Sequence, residues 1–334
     1  MRYIATLLLT SLLLHGQWGS NVTTTPYGVT NISITEAAED NIPSFTFLSV
    51  GYEDSEYAYS GTIEGIDGVK ITLHELDGGQ FSENPYEENE LTQYPHFLRL
   101  RDGAKSQHNG NIYPVIGNSG NDITINIDPS IVTGIFTITD SIDIIRANTL
   151  GSIFGTGDDF HGKKGTPSFA DTIIVWNSIG WKTYFYNDDK WQTFGTRTSQ
   201  DNSIIYPDEG VIYVRKDTEP LTLSFSGVTP TIVQTYMPGA GEKFLMGNPF
   251  PKEIKLSELI DTSSSWSKSQ NISECDLVLC WSGNAWITYY FNVNNWINFN
   301  TGKVDDKTIQ SGESVFVIRN KISSTASYKK VNLP

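Results

Sequence analysis

The chain has 334 residues, 38% of them hydrophobic, and a formal net charge of −15. That length accommodates two domains, or one domain and an internally repeated one, and the apolar share is ordinary for a packed globular protein. The charge excludes the basic stripe that nucleic acid requires and disfavours an anionic membrane surface. Aromatic residues make up 12% of the chain against only three Met, a balance that suits pleated, half-buried strands and predicts an all-β protein.

The first residues, "MRYIATLLLTSLLLHGQWGS", place Arg2 before an apolar run from Ile4 to Leu14, followed by small and polar residues. This is the layout of a secretory signal peptide, assigned to residues 1–20, and the run is too short to span a bilayer. No Cys stands directly after it, as a lipoprotein anchor would require, and no later stretch is apolar for the length of a membrane helix. The mature protein is expected to be secreted (periplasmic, extracellular or cell-surface) and not membrane-spanning.

Residues 21–146 read as an N-terminal β domain. "SFTFLSV" (Ser44 to Val50), "GVKITLHEL" (Gly68 to Leu76), "HFLRLRDG" (His96 to Gly103), "NIYPVIG" (Asn111 to Gly117) and "DITINI" (Asp122 to Ile127) alternate apolar with polar residues, with Gly, Asn and Asp between them. Short strands so spaced predict a small β-barrel or sandwich. The acidic stretch from Gln80 to Pro95 has no period and reads as a loop.

Two β repeats follow, at 147–245 and 246–334. Asp171 placed on Asp276 aligns 26 residues without a gap, and nine are identical: Asp171/Asp276, Trp176/Trp281, Trp181/Trp286, Thr183/Thr288, Tyr184/Tyr289, Asn187/Asn292, Trp191/Trp296, Phe194/Phe299 and Thr196/Thr301. Six of the eight Trp fall at these paired positions. "GVIYVRK" (Gly210 to Lys216) matches "SVFVIRN" (Ser314 to Asn320), and "NTLGSIFG" (Asn148 to Gly155) matches "IKLSELI" (Ile254 to Ile260). An offset held over such a distance signals internal duplication. Each copy is expected to be a three-strand aromatic meander, Asp171–Trp176, Trp181–Tyr186 and Lys190–Phe194 in the first, with short helical turns nearby.

On the middle strand Trp181, Thr183 and Phe185 share one face, and Lys182, Tyr184 and Tyr186 the other. The face of Trp181, with Trp286 in the second copy, is expected to be core. Trp191 and Trp296 follow the polar turns "NDDK" and "NVNN" and are expected to be partly exposed. Candidate ligand-binding rings are therefore Trp176, Trp191, Trp281 and Trp296, for an extracellular polysaccharide.

The set D-T-I-x-x-W-…-G-W-x-T-Y-x-Y-…-W, then P-D-x-G-V-I-Y-x-R, resembles a family of secreted, internally repeated β-rich proteins of verrucomicrobial and related bacteria. So do "TPYGVTNISI" (Thr25 to Ile34), "HFLRLRDGAKSQHNGNIYPV" (His96 to Val115), "IIRANTLGSIFG" (Ile144 to Gly155) and "LMGNPFP" (Leu245 to Pro251). The second copy departs from the pattern with Ala285 in place of Gly and "QSGE" (Gln310 to Glu313) in place of the Pro-Asp turn. The resemblance implies location and architecture and transfers no catalytic residue.

Little in the sequence points to chemistry. "GDDFHGKK" (Gly157 to Lys164) falls short of a phosphate loop, because Lys164 stands where the Mg²⁺-binding hydroxyl belongs and Asp158 and Asp159 would repel phosphate. Asp158, Asp159 and His161, "NDDK" (Asn187 to Lys190) and "NSGND" (Asn118 to Asp122) offer oxygen ligands of the kind Ca²⁺ takes, but none has a known loop spacing and turns use the same residues. Cys275 and Cys280 would stand roughly 16 Å apart on one strand, too far for a disulfide. His74, His96, His108 and His161 are scattered, without a nucleophile elbow. No catalytic residue, metal or cofactor is assigned. The expected role is an exported, non-enzymatic envelope or extracellular structural or interaction protein, with polysaccharide or envelope protein as partner. A carbohydrate-binding module using the repeated Trp and Tyr comes second, and a secreted hydrolase third.

Overall fold

A computed structural model of the chain describes residues 27–39, 42–53, 57–74, 95–119, 121–177, 180–262, 266–320 and 326–332. The expected signal peptide and all but the end of the acidic loop lie outside the described residues. The fold is all-β, with a few helices of four or five residues.

Strands β1 (Tyr27–Ile34) and β2 (Ser44–Ser49) come first. Then β3 (Tyr57–Asp67), β4 (Lys70–Leu73), β5 (His96–Asp102), β6 (Ile112–Ser119), β7 (Asp122–Ile125) and β8 (Ser141–Arg146) close a barrel in the order β3-β4-β7-β6-β5-β8. Alternation accounts for its core: Ile63, Ile71, Leu98, Leu100, Ile123, Ile142 and Ile144 are buried together, and helix α1 (Val132–Ile135) adds Val132 and Ile135. Closure removes the unpaired strand edges that an open sheet would present.

After helix α2 (Leu150–Phe154) come β9 (Thr172–Asn177), β10 (Gly180–Asn187), β11 (Lys190–Thr193), β12 (Gly210–Arg215) and β13 (Leu221–Val228). They build a sheet of order β11-β10-β9-β12-β2, and β13 pairs with β1. The remaining chain runs β14 (Ile232–Met237), β15 (Lys243–Gly247), β16 (Ile254–Lys255), helix α3 (Leu256–Leu259), β17 (Leu277–Trp281), β18 (Trp286–Phe291), β19 (Trp296–Asn298), β20 (Lys303–Val304), β21 (Thr308–Ile309), β22 (Ser314–Ile318) and β23 (Ser327–Asn332). Its main sheet has the order β15-β22-β17-β18-β19-β20, while β14 pairs with β23 and β16 with β21. Strands β1 and β2, which fall within the expected N-terminal β domain, thus hydrogen-bond to β13 and to β12 of the first sheet respectively and lie outside the barrel. Alternation identifies a strand but not its partner.

Each sheet carries a buried ion pair at its first aligned residue. Asp171 Oδ2 accepts from Arg215 Nη1 at 2.5 Å, Lys163 N–H at 3.0 Å and Tyr213 O–H at 2.9 Å, and its Oδ1 accepts from Lys216 N–H at 2.8 Å. Asp276 Oδ2 accepts from Arg319 Nε at 3.1 Å and Ser267 N–H at 2.7 Å, and its Oδ1 from Asn320 N–H at 2.5 Å. Both carboxylates are 0% exposed.

The sheets meet through reciprocal contacts. Ser49 N–H donates to Gly312 O at 3.0 Å, and Gly247 N–H to Asp208 O at 2.9 Å. Leu48 bridges to Glu313, and Glu209 to Met246. The backbones approach so closely that a Cβ on Gly210 would lie 2.6 Å from Ser314 Cβ, and one on Gly247 would lie 2.5 Å from Ser49 Cβ. Only glycine fits opposite serine there. Beside this contact runs a row of half-buried rings. Trp176 meets Trp181 edge-on at 4.8 Å, Trp181 stacks on Phe316 at 5.6 Å, and Trp286 meets Phe47 at 4.7 Å and Trp281 at 5.2 Å.

The expected roles of Trp181, Trp191 and Trp296 are reversed, and Trp286 is half-buried. Trp191 is 0% and Trp296 2% exposed, whereas Trp181 is 46% exposed. The reason lies in what covers each face. Phe154 of α2 and Phe160 of the "GDDFHGKK" loop close over Trp191, whose Nε1 donates to Gly155 O at 3.1 Å. Trp266, at 5.7 Å, covers Trp296. The face of Trp181 turns to the other sheet, which covers it only in part. We therefore predict that Trp191→Ala and Trp296→Ala each cost about 3–5 kcal/mol, the range for a large aromatic removed from a core. Trp181→Ala should cost less than half as much in urea denaturation; equal losses at all three would contradict this placement.

Candidate functional site

Between the barrel and the strands β14, β15 and β23 lies a half-open cleft of about 910 Å³, within the range of about 300–1,000 Å³ usual for small-molecule sites. The barrel contributes Asn111 and Tyr113 at the start of β6, Asn126 and Ile127 after β7, and Ile131 and Ile135 around α1. Facing them are Gln234 and Tyr236 of β14, Glu242, Lys243 and Phe244 at β15, and Tyr328 of β23. Tyr206, Asp208 and Glu209, on the turn entering β12, and Trp176 of β9 also line it, as does His108 of the barrel. Period-2 alternation points Gln234 and Tyr236 to the same side of β14. Lys330 Nζ donates to Ser106 O at 2.9 Å and ties β23 to the barrel.

Two carboxyl groups here titrate abnormally. Burial pushes Glu209 up to about 8, with the neighbouring Asp208 charge adding to the effect and the Tyr206 N–H opposing it. Burial likewise pushes Asp208 up to about 6 against the pull of the Tyr236 N–H, which donates to Oδ2 at 2.5 Å. Asp208 thereby fastens the β12 turn to β14. Glu209 Oε2 accepts the Tyr206 N–H at 3.2 Å, and Glu313 Oε2 accepts the Gln310 N–H at 2.9 Å at the aligned turn of the second sheet. Tyr236 donates to Glu242 Oε2 at 3.2 Å, and burial beside that carboxylate pushes its phenol up to about 12. His108 is pushed down by burial and by Lys330 and Lys105, so it stays neutral at pH 7.

Asn111 is 5% exposed and donates Nδ2–H to Tyr113 Oη at 3.0 Å, while its Oδ1 has no hydrogen-bond partner in the protein. Of the four candidate rings named from sequence, only Trp176 lines the cleft. Trp281 lies in the ring row between the sheets, and Trp191 and Trp296 are sealed in the two cores, out of a ligand's reach. Sequence reasoning missed Asp208 and Glu209, although they fall in the motif P-D-x-G-V-I-Y-x-R, and missed Tyr206, Tyr236 and Tyr328 altogether.

The oxygen-rich stretches are used locally. Asp188 and Asp189 adopt φ of 52° and 54° in the tight turn between β10 and β11, and Asp122 accepts the Thr72 hydroxyl at 2.7 Å and pairs with Lys70 at 3.2 Å. Among the described residues no three His, Cys, Asp or Glu gather as a metal site. Cys275 and Cys280 are both buried and unbridged. No family profile, curated protein or solved structure matches the chain.

Asp208 and Glu209 bind protons more readily in the folded chain than in the unfolded one, whose ordinary values are 3.8 and 4.5. The stability they contribute is therefore fully present below those values and is lost as pH rises through about 6 and about 8. Glu209→Gln mimics the protonated acid and should narrow the difference in unfolding free energy between pH 5 and pH 8.5, by an amount on the order of 3 kcal/mol. An unchanged difference would contradict the burial argument.

Proposed function

We propose that the protein is an exported, non-enzymatic interaction protein of the envelope or extracellular space. In this reading a duplicated β unit with a barrel inserted in its first copy holds an extracellular ligand in the cleft. The cleft carries the proposal, because it joins ring faces and hydrogen-bonding side chains from six separate stretches of chain. Duplication is supported by the like strand orders and by reciprocal contacts such as Leu48–Glu313 and Glu209–Met246. Export rests on Arg2 and the Ile4–Leu14 run, together with the resemblance to secreted verrucomicrobial proteins.

The non-enzymatic reading is supported by how the recurring acids are used. Asp171 and Asp276 hold arginines and backbone N–H groups, and Glu209 and Glu313 hold their turns. The raised values of Asp208 and Glu209 favour the hydrolase as second reading, since abnormal carboxyls in a cleft are a mark of acid–base sites.

The test uses the full chain expressed in a secreting bacterial host, with immobilised cell-wall polysaccharide and envelope protein as ligands. Exported material should begin after about Gly16, one of the two resins should retain it, and Gln234→Trp, which fills the cleft, should abolish retention with Tm preserved. Cytoplasmic protein retaining Met1 would overturn export. Retention indifferent to Gln234→Trp would overturn the site, and release of new reducing ends would favour the hydrolase.

A further inference from the structure

We propose that the cleft is a site for a neutral saccharide, with Tyr206, Tyr236 and Tyr328 as stacking surfaces and Asn111 and Gln234 as partners for its hydroxyl groups. The proposal rests on the reading of the cleft as the ligand site and names the chemistry that site selects.

The aromatic lining is angled and accessible. Tyr236 and Tyr328 stand 5.5 Å apart with planes at 60°, and Tyr328 is 65% exposed although it lies on a paired strand. Tyr236 is braced from its other side by Phe244 at 5.3 Å and by the bond from its hydroxyl to Glu242. Rings fixed in this way lose little conformational entropy on binding, and they suit a ligand with one apolar face and a polar edge. A pyranose ring has such faces, its axial C–H groups packing on the aromatic plane while its hydroxyls point outward.

The polar lining selects among ligands that could use those rings. Asn111 Oδ1 is a buried acceptor without a donor, an unfavourable state that lasts until a donor reaches it. A ligand hydroxyl supplies that donor, whereas an apolar ligand would leave the atom unsatisfied and desolvate Gln234 and Asn126 as well. Polyanions are disfavoured by Asp208 and Glu242 in the lining and by the net charge of −15. Cations fare little better. Glu242 Oε2 is already engaged by the Tyr236 hydroxyl and by the Gly239 N–H at 2.7 Å, Asp208 Oδ2 is taken by the Tyr236 N–H, and Lys243 lies in the same lining. Glu209, pushed up to about 8, is a neutral hydrogen-bond donor at pH 7 and adds no anionic charge. A neutral, hydroxyl-rich ring compound is what remains.

The test measures binding of the full-length protein to four probes by intrinsic fluorescence and calorimetry: the neutral hexasaccharides of cellulose, starch and N-acetylchitin as a set, a hexagalacturonate, spermine, and the uncharged apolar dye Nile red. At least one neutral hexasaccharide should bind, and Tyr328→Ala and Gln234→Ala should each weaken it about tenfold or more. Tm should be unchanged, because both side chains stand at the cleft and outside the cores. Phe299→Ala, an equally exposed ring at the far end of the second sheet, should leave binding intact. Competition by Nile red, spermine or hexagalacturonate at the Tyr328-dependent site, with no neutral sugar bound, would overturn the saccharide assignment and leave the cleft as a ligand site. Sugar binding indifferent to both substitutions, or no binding of any probe, would overturn the proposal outright.

Discussion

The buried pairs Asp171–Arg215 and Asp276–Arg319 are the constraint on which the two sheets depend. Each aspartate sits where the chain enters the central strand of its sheet, β9 or β17, and its arginine ends the neighbouring strand, β12 or β22. One carboxylate fixes the register of that strand pair and, through Lys163 or Ser267, the loop before it. Full burial makes the arrangement all-or-nothing. A paired, hydrogen-bonded charge is tolerated in the interior, while removing one partner leaves the other stranded. Tyr213 adds a fourth contact in the first sheet only, where its hydroxyl donates to Asp171.

With each sheet fixed in this way, the contact between them follows from small residues and rings. Gly210 opposite Ser314 and Gly247 opposite Ser49 allow backbone hydrogen bonds to cross where larger side chains would hold the sheets apart. The ring row from Trp176 to Phe47 then fills the widening gap beside that contact. Its rings meet mostly edge-on and tilted, the geometry of interlocked packing more than of a flat platform. The barrel enters between β2 and α2. Its charge network, in which Arg99 links Asp143 at 2.9 Å to the buried Glu53, ties it back to β13, because Glu53 exchanges backbone hydrogen bonds with Val228. A barrel anchored on the β1–β13 pair thus comes to face β14, β15 and β23, and the cleft is the space between them.

Much of this was legible in the sequence. Alternation located four of the six barrel strands, β4 to β7, the repeat located the meanders, and "NDDK" marked a tight turn that two consecutive aspartates at positive φ now form. Other features depend on partners that no local pattern names. Strand β1 pairs with a strand nearly two hundred residues away, a partner that its place in the N-terminal region does not name. The polar turn before Trp191 suggested exposure, yet Phe160, from a loop that reads as solvated, lies 5.2 Å from that ring and closes the core. The cleft was invisible for the same reason. Asn111, Asp208, Gln234 and Tyr328 are ordinary residues in their own segments and acquire meaning only from the way four segments converge.

The central claim is that each sheet hangs on its own buried aspartate. Equilibrium denaturation of Asp171→Asn and Asp276→Asn tests it most directly, because asparagine keeps the size of the side chain and removes its charge. The account predicts a loss of about 3–5 kcal/mol for each substitution, with amide exchange rising first in the sheet that carries the change. A loss below about 1 kcal/mol at either position, within the range of an ordinary surface ion pair, would contradict it.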